Sequence, residues 1–276
     1  MMVSLRRAVF AAGSVLKMVN IRSEREIGKI RESGRIVYET LSALAEKIVF
    51  GVTGKELDQF AETFIRDQGG EPAFKGYMDY PSTLCISIND EVVHGIPGGR
   101  ELQDGDIVSI DCGVLKDDYY GDSARTYAVG DVASDVRDLM RVTEEALYIG
   151  VEKTTHGNHV SDIGHAIQSH VEEHGFSVVR ELVGHGIGRE LHEDPQVPNY
   201  GSPGQGVELK EGMCLAIEPM VNLGDKEIFT KDDSWTICTR DGKPSAHFEH
   251  TVLVGKDGAQ ILSNGVYQEA ADYAVA

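Results

Sequence analysis

The chain has 276 residues, 41% hydrophobic and 26% charged, a balance ordinary for a globular protein of one large or two small domains. No run approaches the roughly 18 apolar residues a membrane-spanning helix needs, which excludes a helical membrane protein. Acidic residues outnumber basic ones by 45 to 26, for a net charge of −19, and such a field repels phosphates and argues against broad nucleic-acid binding.

Taken in chain order, Arg6 and Arg7 precede an apolar stretch from Ala8 to Leu16 that loosely imitates a signal peptide but lacks a small-residue cleavage site. Residues 1–17 are read as a non-functional extension, with Met18 as a candidate start. Ser23 and Glu26 form a capping box that opens a helix. Ile27, Ile30, Gly34, Val37, Leu41, Leu44 and Ile48 then recur at helical spacing, so one face is expected on a core. Thr53 and Glu56 cap a second helix, with Leu57, Phe60, Ala61 and Phe64 inward and Gly69-Gly70 as its stop. A β-branched strand at 107–114 and a returning strand at 119–129 predict a hairpin. Folded about a midpoint between Lys116 and Asp117, it sets Asp111 opposite Asp122 on one face. Helical periodicity returns at about 135–152 and 161–174, ending at Gly175, and apolar strands follow at 213–217 and 246–254.

The chain repeats itself. Residues 51–69 and 157–175 each run from one glycine to another across a helix. Leu102 to Asp111 parallels Leu209 to Glu218 in leucine, acid, glycine, aliphatic residue, isoleucine and final acid, at an offset of 107 residues. Two similar α+β halves facing one another would place Asp111 and Glu218 near a shared cleft. No Pro/Ser linker divides the halves, so one intertwined domain over 18–265 is expected, followed by a tail at 266–276.

Two carboxylates directly opposed on neighbouring strands stand about 4.5–5.5 Å apart at Cβ and repel, unless one keeps its proton or a cation binds. Glu218, at the end of an apolar strand, and Glu249, read as lying inside another, are costly places for unpaired charge. His185 lies between Gly184 and Gly186, glycines that would let the backbone bend toward a ligand, and His192 follows seven residues later. Many oxygens with one imidazole suit hard or borderline divalent ions. Two such ions, bridged by carboxylates about 3.5–4 Å apart, would generate a hydroxide at neutral pH and polarise a carbonyl, which predicts metal-assisted hydrolysis. The cysteines, Cys85, Cys112, Cys214 and Cys238, form no CxxC pair and are read as reduced thiols in a cytoplasmic protein.

Asp111, Asp122, His185, Glu218 and Glu249, with the segments Gly184-His-Gly-Ile-Gly188, Ile217-Glu-Pro-Met220 and Asn89 to Pro97, resemble methionine aminopeptidase type I over about residues 20–262. The resemblance implies an α+β pita-bread fold with pseudo-twofold symmetry. It also implies two divalent ions, Co, Mn, Fe or Zn, and removal of the N-terminal methionine of peptides and nascent proteins by a metal-activated hydroxide. Asp111 and Asp122 would hold one ion, His185 and Glu218 the other, with Asp122 and Glu249 bridging. His94 and His192 would contact substrate and stabilise the tetrahedral intermediate, and Glu218 would shuttle a proton to the leaving amine. Phe74, Tyr77, Tyr80, Cys85, Leu191 and Trp235 would line the methionine pocket, where a thioether packs well on aromatic surfaces. Three positions depart from the usual bacterial pattern: Phe74 replaces cysteine, Leu191 replaces phenylalanine and His247 replaces glutamine. The first two bear on pocket shape. The family's work implies transient ribosome contact, no specific nucleic acid, no membrane, and a monomer.

The 32 residues between His185 and Glu218 leave no room for the helical insertion of type II enzymes. A proline-specific peptidase of the same fold is the nearest alternative, but its extra histidine upstream of the glycine-histidine pair is missing from Glu181-Leu-Val-Gly184. A non-catalytic binding module of this fold would have lost metal ligands, and all five are present.

Overall fold

The computed structural model describes residues 19–265, so the expectations for residues 1–17 and 266–276 lie outside the described residues. The first half runs α1 (Glu24–Ala45), α2 (Gly54–Asp67), β1 (Glu71–Pro72), β2 (Leu84–Ile88), β3 (Glu91–Val93), β4 (Ile107–Lys116) and β5 (Tyr119–Ala128). The second runs α3 (Ser134–Lys153), α4 (Val160–Glu173), β6 (Ser177–Val178), β7 (Gly184–Gly186), β8 (Glu193–Val197), β9 (Cys214–Ile217) and β10 (Met220–Asn222). It continues with β11 (Ile228–Thr230), β12 (Ile237–Thr239), β13 (Ser245–His247), β14 (His250–Val254) and β15 (Ala259–Ile261).

Both predicted capping boxes form. The Ser23 N–H and hydroxyl donate to the Glu26 carboxylate at 2.9 and 2.7 Å, and the Thr53 N–H donates to Glu56 at 2.9 Å while Glu56 N–H donates back to the Thr53 hydroxyl. Each box satisfies helix N–H groups that have no intrahelical acceptor. The predicted stripe of α1 is buried from Ile27 to Leu44, joined by Ser33, Ile36 and Thr40. Gly34 lies in that stripe because the chain passes close: a Cβ there would stand 2.4 Å from the Leu262 carbonyl oxygen.

The internal repeat is a repeat of turn geometry. Gly51 and Gly157 have φ of 87° and 88°, Gly69 and Gly175 74° and 82°, and Gly105 and Gly212 90° and 89°. All sit in the left-handed region where a side chain is strained. Gly51 N–H donates to Leu102 O at 2.9 Å, and Gly157 N–H donates to Leu209 O at 3.0 Å. Thr53 bridges Glu101 as His159 bridges Glu208, and His159 with Asp162 makes a third capping box. Each half wraps its own apolar core, one around Ile36, Leu57 and Ile110, the other around Val142, Ile167 and Ile217.

All strand pairings are antiparallel. In one sheet β4 is flanked by β5 on one edge and by β2 and β1 on the other; another runs β15-β14-β9-β7-β8, and two three-stranded sheets connect them. The β4–β5 hairpin corrects the expected register. Its turn residues are Asp117 and Asp118, at φ 50° and 66°, the pattern of a tight two-residue turn. The midpoint therefore lies between them, and Asp111 pairs with Ala124 while Gly113 pairs with Asp122. Moving the midpoint by one residue moves the pairing by two, which preserves the face. The two acids are diagonal neighbours, still on one side of the sheet and within reach of each other.

Candidate metal centre

Five side chains converge where the two halves meet. Asp111 comes from β4, Asp122 from β5 and His185 from β7, while Glu218 follows the last residue of β9. Glu249 does not lie inside a strand as expected: it occupies the break between β13 and β14. There its N–H donates to Ala124 O at 2.9 Å, and its own carbonyl accepts from Ser123 Oγ at 2.5 Å, ties that aim the carboxylate across the halves. Donor atoms of Asp122, His185 and Glu249 all lie within 4.8 Å of one another. His185 Nε2 stands 3.6 Å from Glu218 Oε1, and Asp111 and Asp122 are diagonal neighbours across the β4–β5 pairing.

The electrostatics of this cluster are unfavourable as they stand. Burial and the neighbouring Asp122 charge push the Asp111, Glu218 and Glu249 carboxyls well above the usual range. Burial raises Asp122 to about 7. Buried oxygens on Asp111, Asp122 and Glu249 have no hydrogen-bond partner. A buried acceptor without a partner is expensive, and four acids in one enclosure more so. Divalent cations would resolve both problems, and the donor set of carboxylate oxygens with one imidazole fits them. His185 is prepared for that role: its Nδ1 lies 2.9 Å from its neighbour's carbonyl, Gly186 O, so the proton sits on Nδ1 and the Nε2 lone pair faces the acids.

The glycines around His185 act differently from expectation. Both lie in an extended strand, and a Cβ on Gly184 would stand 2.3 Å from Ala216 O and one on Gly186 2.4 Å from Asp194 O. They permit close strand packing, and the β7–β8 register shifts between them.

The other predicted residues gather beside this cluster. His192 lies with its ring centroid 4.4 Å from that of His185 and shares a 2.8 Å hydrogen bond, through Nδ1, with the Tyr77 hydroxyl. His94 follows β3 in a left-handed conformation, φ 60°, close enough to His192 and His247 for like charges to oppose protonation. Burial lowers His94 and His192 to about 4, so both are neutral imidazoles at pH 7. Phe74, Tyr80, Cys85 and Leu191 form one buried apolar cluster with Tyr77 and Trp235 at its edge. Tyr80 meets Trp235 edge-on at 5.0 Å, and its hydroxyl reaches the Leu84 and Gly95 carbonyls. Cys85 pairs directly with Asp111 in the β2–β4 register, which sets this cluster against the acids.

Several residues here escaped the sequence reading. Ala73, Ile96 and Tyr120 join the pocket. Thr251 accepts from the Asp122 N–H and donates to its carbonyl, and Asn199 donates to Glu218 O at 2.9 Å. His247 Nε2 is buried, without a partner, 3.8 Å from Glu218 Oε2. Its replacement of glutamine was the one sequence signal among these. A separate group, Glu145 on α3, His170 on α4 and His174 at the C-cap of α4, lies apart from the acid cluster. Its polar atoms are already satisfied by Arg141, by the His170–Glu145 bond and by the His170 carbonyl, and it carries no role here.

Comparison with known proteins bears directly on this geometry. Residues 28–256 match Metallopeptidase family M24. The chain belongs to that family. As an M24 metallopeptidase it has near relatives in the methionine aminopeptidase of Clostridium perfringens, 51% identical over 89% of this chain and 99% of the relative, and methionine aminopeptidase 1 of Bacillus subtilis, 52% identical over the same shares. The crystal structure of methionine aminopeptidase from Rickettsia prowazekii superposes with a TM-score of 0.88 at 43% identity, covering 89% of this chain and all of that one. A prolidase from Pyrococcus furiosus reaches a TM-score of 0.72 at 25% identity, and this chain covers 65% of its length. The M24 chain thus has the α+β pita-bread fold, is a metal-using aminopeptidase, and among the described residues has no helix long and apolar enough to cross a membrane.

Proposed function

We propose that this M24 enzyme removes the initiator methionine from peptides and nascent proteins, using two divalent ions drawn from Co, Mn, Fe and Zn. The observation that carries the reading is the juxtaposition, through the Cys85–Asp111 pair, of an enclosed acid cluster with unpartnered oxygens and a buried apolar cluster that includes Phe74, Tyr80 and Leu191. Asp111 and Asp122 would hold one ion, His185 and Glu218 the other, and Asp122 and Glu249 would bridge. Bound there, the ions supply Lewis acidity and a water acidic enough to ionise near neutral pH.

The chain's own residues do the rest. The pocket takes up the thioether and excludes water from it. With the Tyr77 hydroxyl donating to Nδ1, His192 carries its proton on Nε2 and presents it to the scissile carbonyl oxygen; His94 supplies a second donor as that oxygen gains charge. Both are neutral at working pH, so they add no repulsion against the ions. Glu218 passes a proton to the departing amine. Work on emerging chains entails transient ribosome contact in the cytoplasm, by a monomer without nucleic-acid specificity.

The test is hydrolysis of Met-Gly-Met-Met and Ala-Pro-Gly by metal-stripped protein resupplied with each metal in turn. Metal-dependent methionine release, abolished in Asp111→Asn, is the expected result. Cleavage of the proline peptide alone, or of neither, overturns the reading.

A further inference from the structure

The loop between Gly188 and Glu193 carries two residues of the site, Leu191 in the pocket and His192 beside His185. Its shape is organised by one carboxylate. Glu193 Oε1 accepts from the backbone N–H of Arg189 at 2.8 Å and of Glu190 at 3.1 Å. Glu193 Oε2 accepts from the Asn20 side-chain amide at 2.7 Å and from the Arg22 guanidinium. The Arg22–Glu193 pair is buried, each side chain 6% exposed, and Arg22 lies flat on the loop: a Cβ on Gly188 would stand 2.2 Å from a guanidinium nitrogen. Arg22 N–H in turn donates to Gly212 O at 2.8 Å, in the turn that leads into β9 and Glu218. The segment Asn20–Arg22 therefore fastens the histidine loop to the strand that carries an acid of the metal centre.

We propose that Arg22 is a positioning residue for His192, acting through Glu193, in the reaction proposed above. It touches neither pocket nor acids. A buried guanidinium bonded through Nη2 to one carboxylate oxygen, whose other oxygen holds two loop N–H groups, fixes the backbone beside the imidazole. Orientation of this kind matters because a displacement of about 1 Å at a catalytic group costs rate on the order of a hundredfold.

The experiment is a double-mutant cycle on kcat for a methionyl peptide, with Arg22→Met and His192→Ala, alongside calorimetric titration of metal-stripped protein with Mn(II). Arg22→Met should lower kcat at least about tenfold when His192 is present, and less than about twofold when it is already alanine, because the positioned group is then gone. Mn(II) affinity should stay unchanged. Removing one member of a buried pair strains the fold, so Arg22→Lys, which keeps the charge and loses the planar guanidinium laid against Gly188, runs the same cycle if Arg22→Met does not fold. Equal losses in both backgrounds, no loss in either, or weakened Mn(II) binding overturns the proposal while leaving the reaction intact. A wild type that releases no methionine overturns the reaction and this proposal with it.

Discussion

Stripping the metal should make the fold lose stability as pH rises above about 6.5, and the sign follows from two opposing sets of groups. Buried histidines are held below their ordinary 6.5, His185, His247 and His250 at about 3 and His94 and His192 at about 4. The unfolded chain binds protons at these positions that the folded chain does not, so they add stability with rising pH only up to about 6.5 and nothing beyond. The carboxyls work the other way. Asp111, Glu218 and Glu249 are raised well above their ordinary range and Asp122 to about 7, so the folded chain keeps protons that the unfolded chain has lost. That contribution is complete below about pH 4 and disappears as pH climbs through the folded values. Each carboxyl still protonated costs about 1.4 kcal/mol per pH unit, or about 3 kcal/mol between pH 6.5 and 8.5, against a total stability of roughly 5–15 kcal/mol. Urea unfolding in a chelator at pH 6.5, 7.5 and 8.5 measures it. Asp111→Asn, which cannot ionise, should make the slope shallower and be more stable than wild type at pH 8.5 without metal, although it is inactive with metal. Chelated stability that stays flat or rises over this window would refute the reasoning, since the acids would then already be ionised in the folded protein.

Thr53→Ala removes the hydroxyl that accepts the Glu56 N–H, and should cost about 1 kcal/mol, a fall of roughly 2–4 °C in Tm, with kcat unchanged. His192→Ala should lower kcat by about 10²–10³ at nearly constant Mn(II) affinity, measured by steady-state hydrolysis and calorimetry. Gly113→Ala places a Cβ 2.6 Å from the Phe74 ring, so the ring must move into the pocket. KM for a methionyl peptide should rise at least about tenfold, while norleucine, of similar length, suffers equally, and a selective loss for one of them would contradict a simple loss of volume.

Local signals were the legible ones. Helix starts at Ser23 and Thr53 depend on contacts within a few residues, and the paired glycines at 51 and 157 on the positive φ of their own backbone, which composition and spacing report directly. The acids were legible for a different reason: a charge at the end of an apolar strand is conspicuous whatever its partners. The hairpin register was misread because tightness of the turn rests on Asp117 and Asp118 adopting positive φ, which aspartate does without advertising it. The error left the function intact, since pairing slips by twos when the midpoint moves by one. Roles that depend on contact across the halves were not legible. Nothing near Thr251, Ser123 or Asn199 in the sequence marks them as supports of Asp122, Glu249 and Glu218, and nothing around Arg22 marks Glu193 as its partner 171 residues away.

Those cross-half ties explain how the fold tolerates a cluster that works against it. β5 and the chain around Glu249 are stitched by Glu249 N–H to Ala124 O, Ser123 Oγ to Glu249 O, Thr126 Oγ1 to His247 O and the His247 N–H back to Thr126 Oγ1. All are buried, where a hydrogen bond lost leaves an unsatisfied group worth about 1–3 kcal/mol. The acids cannot spread apart without breaking several of these at once, so their repulsion goes into raised carboxyl pKa values and appetite for cations and does not distort the sheet. Because the repeated turns at Gly105 and Gly212 precede Asp111 and Glu218 at matching points of two similar halves, the same repeat that gives two cores also brings their strand-end charges together. Metal binding then follows from the architecture: divalent cations at the junction would neutralise the acids that both halves bring there.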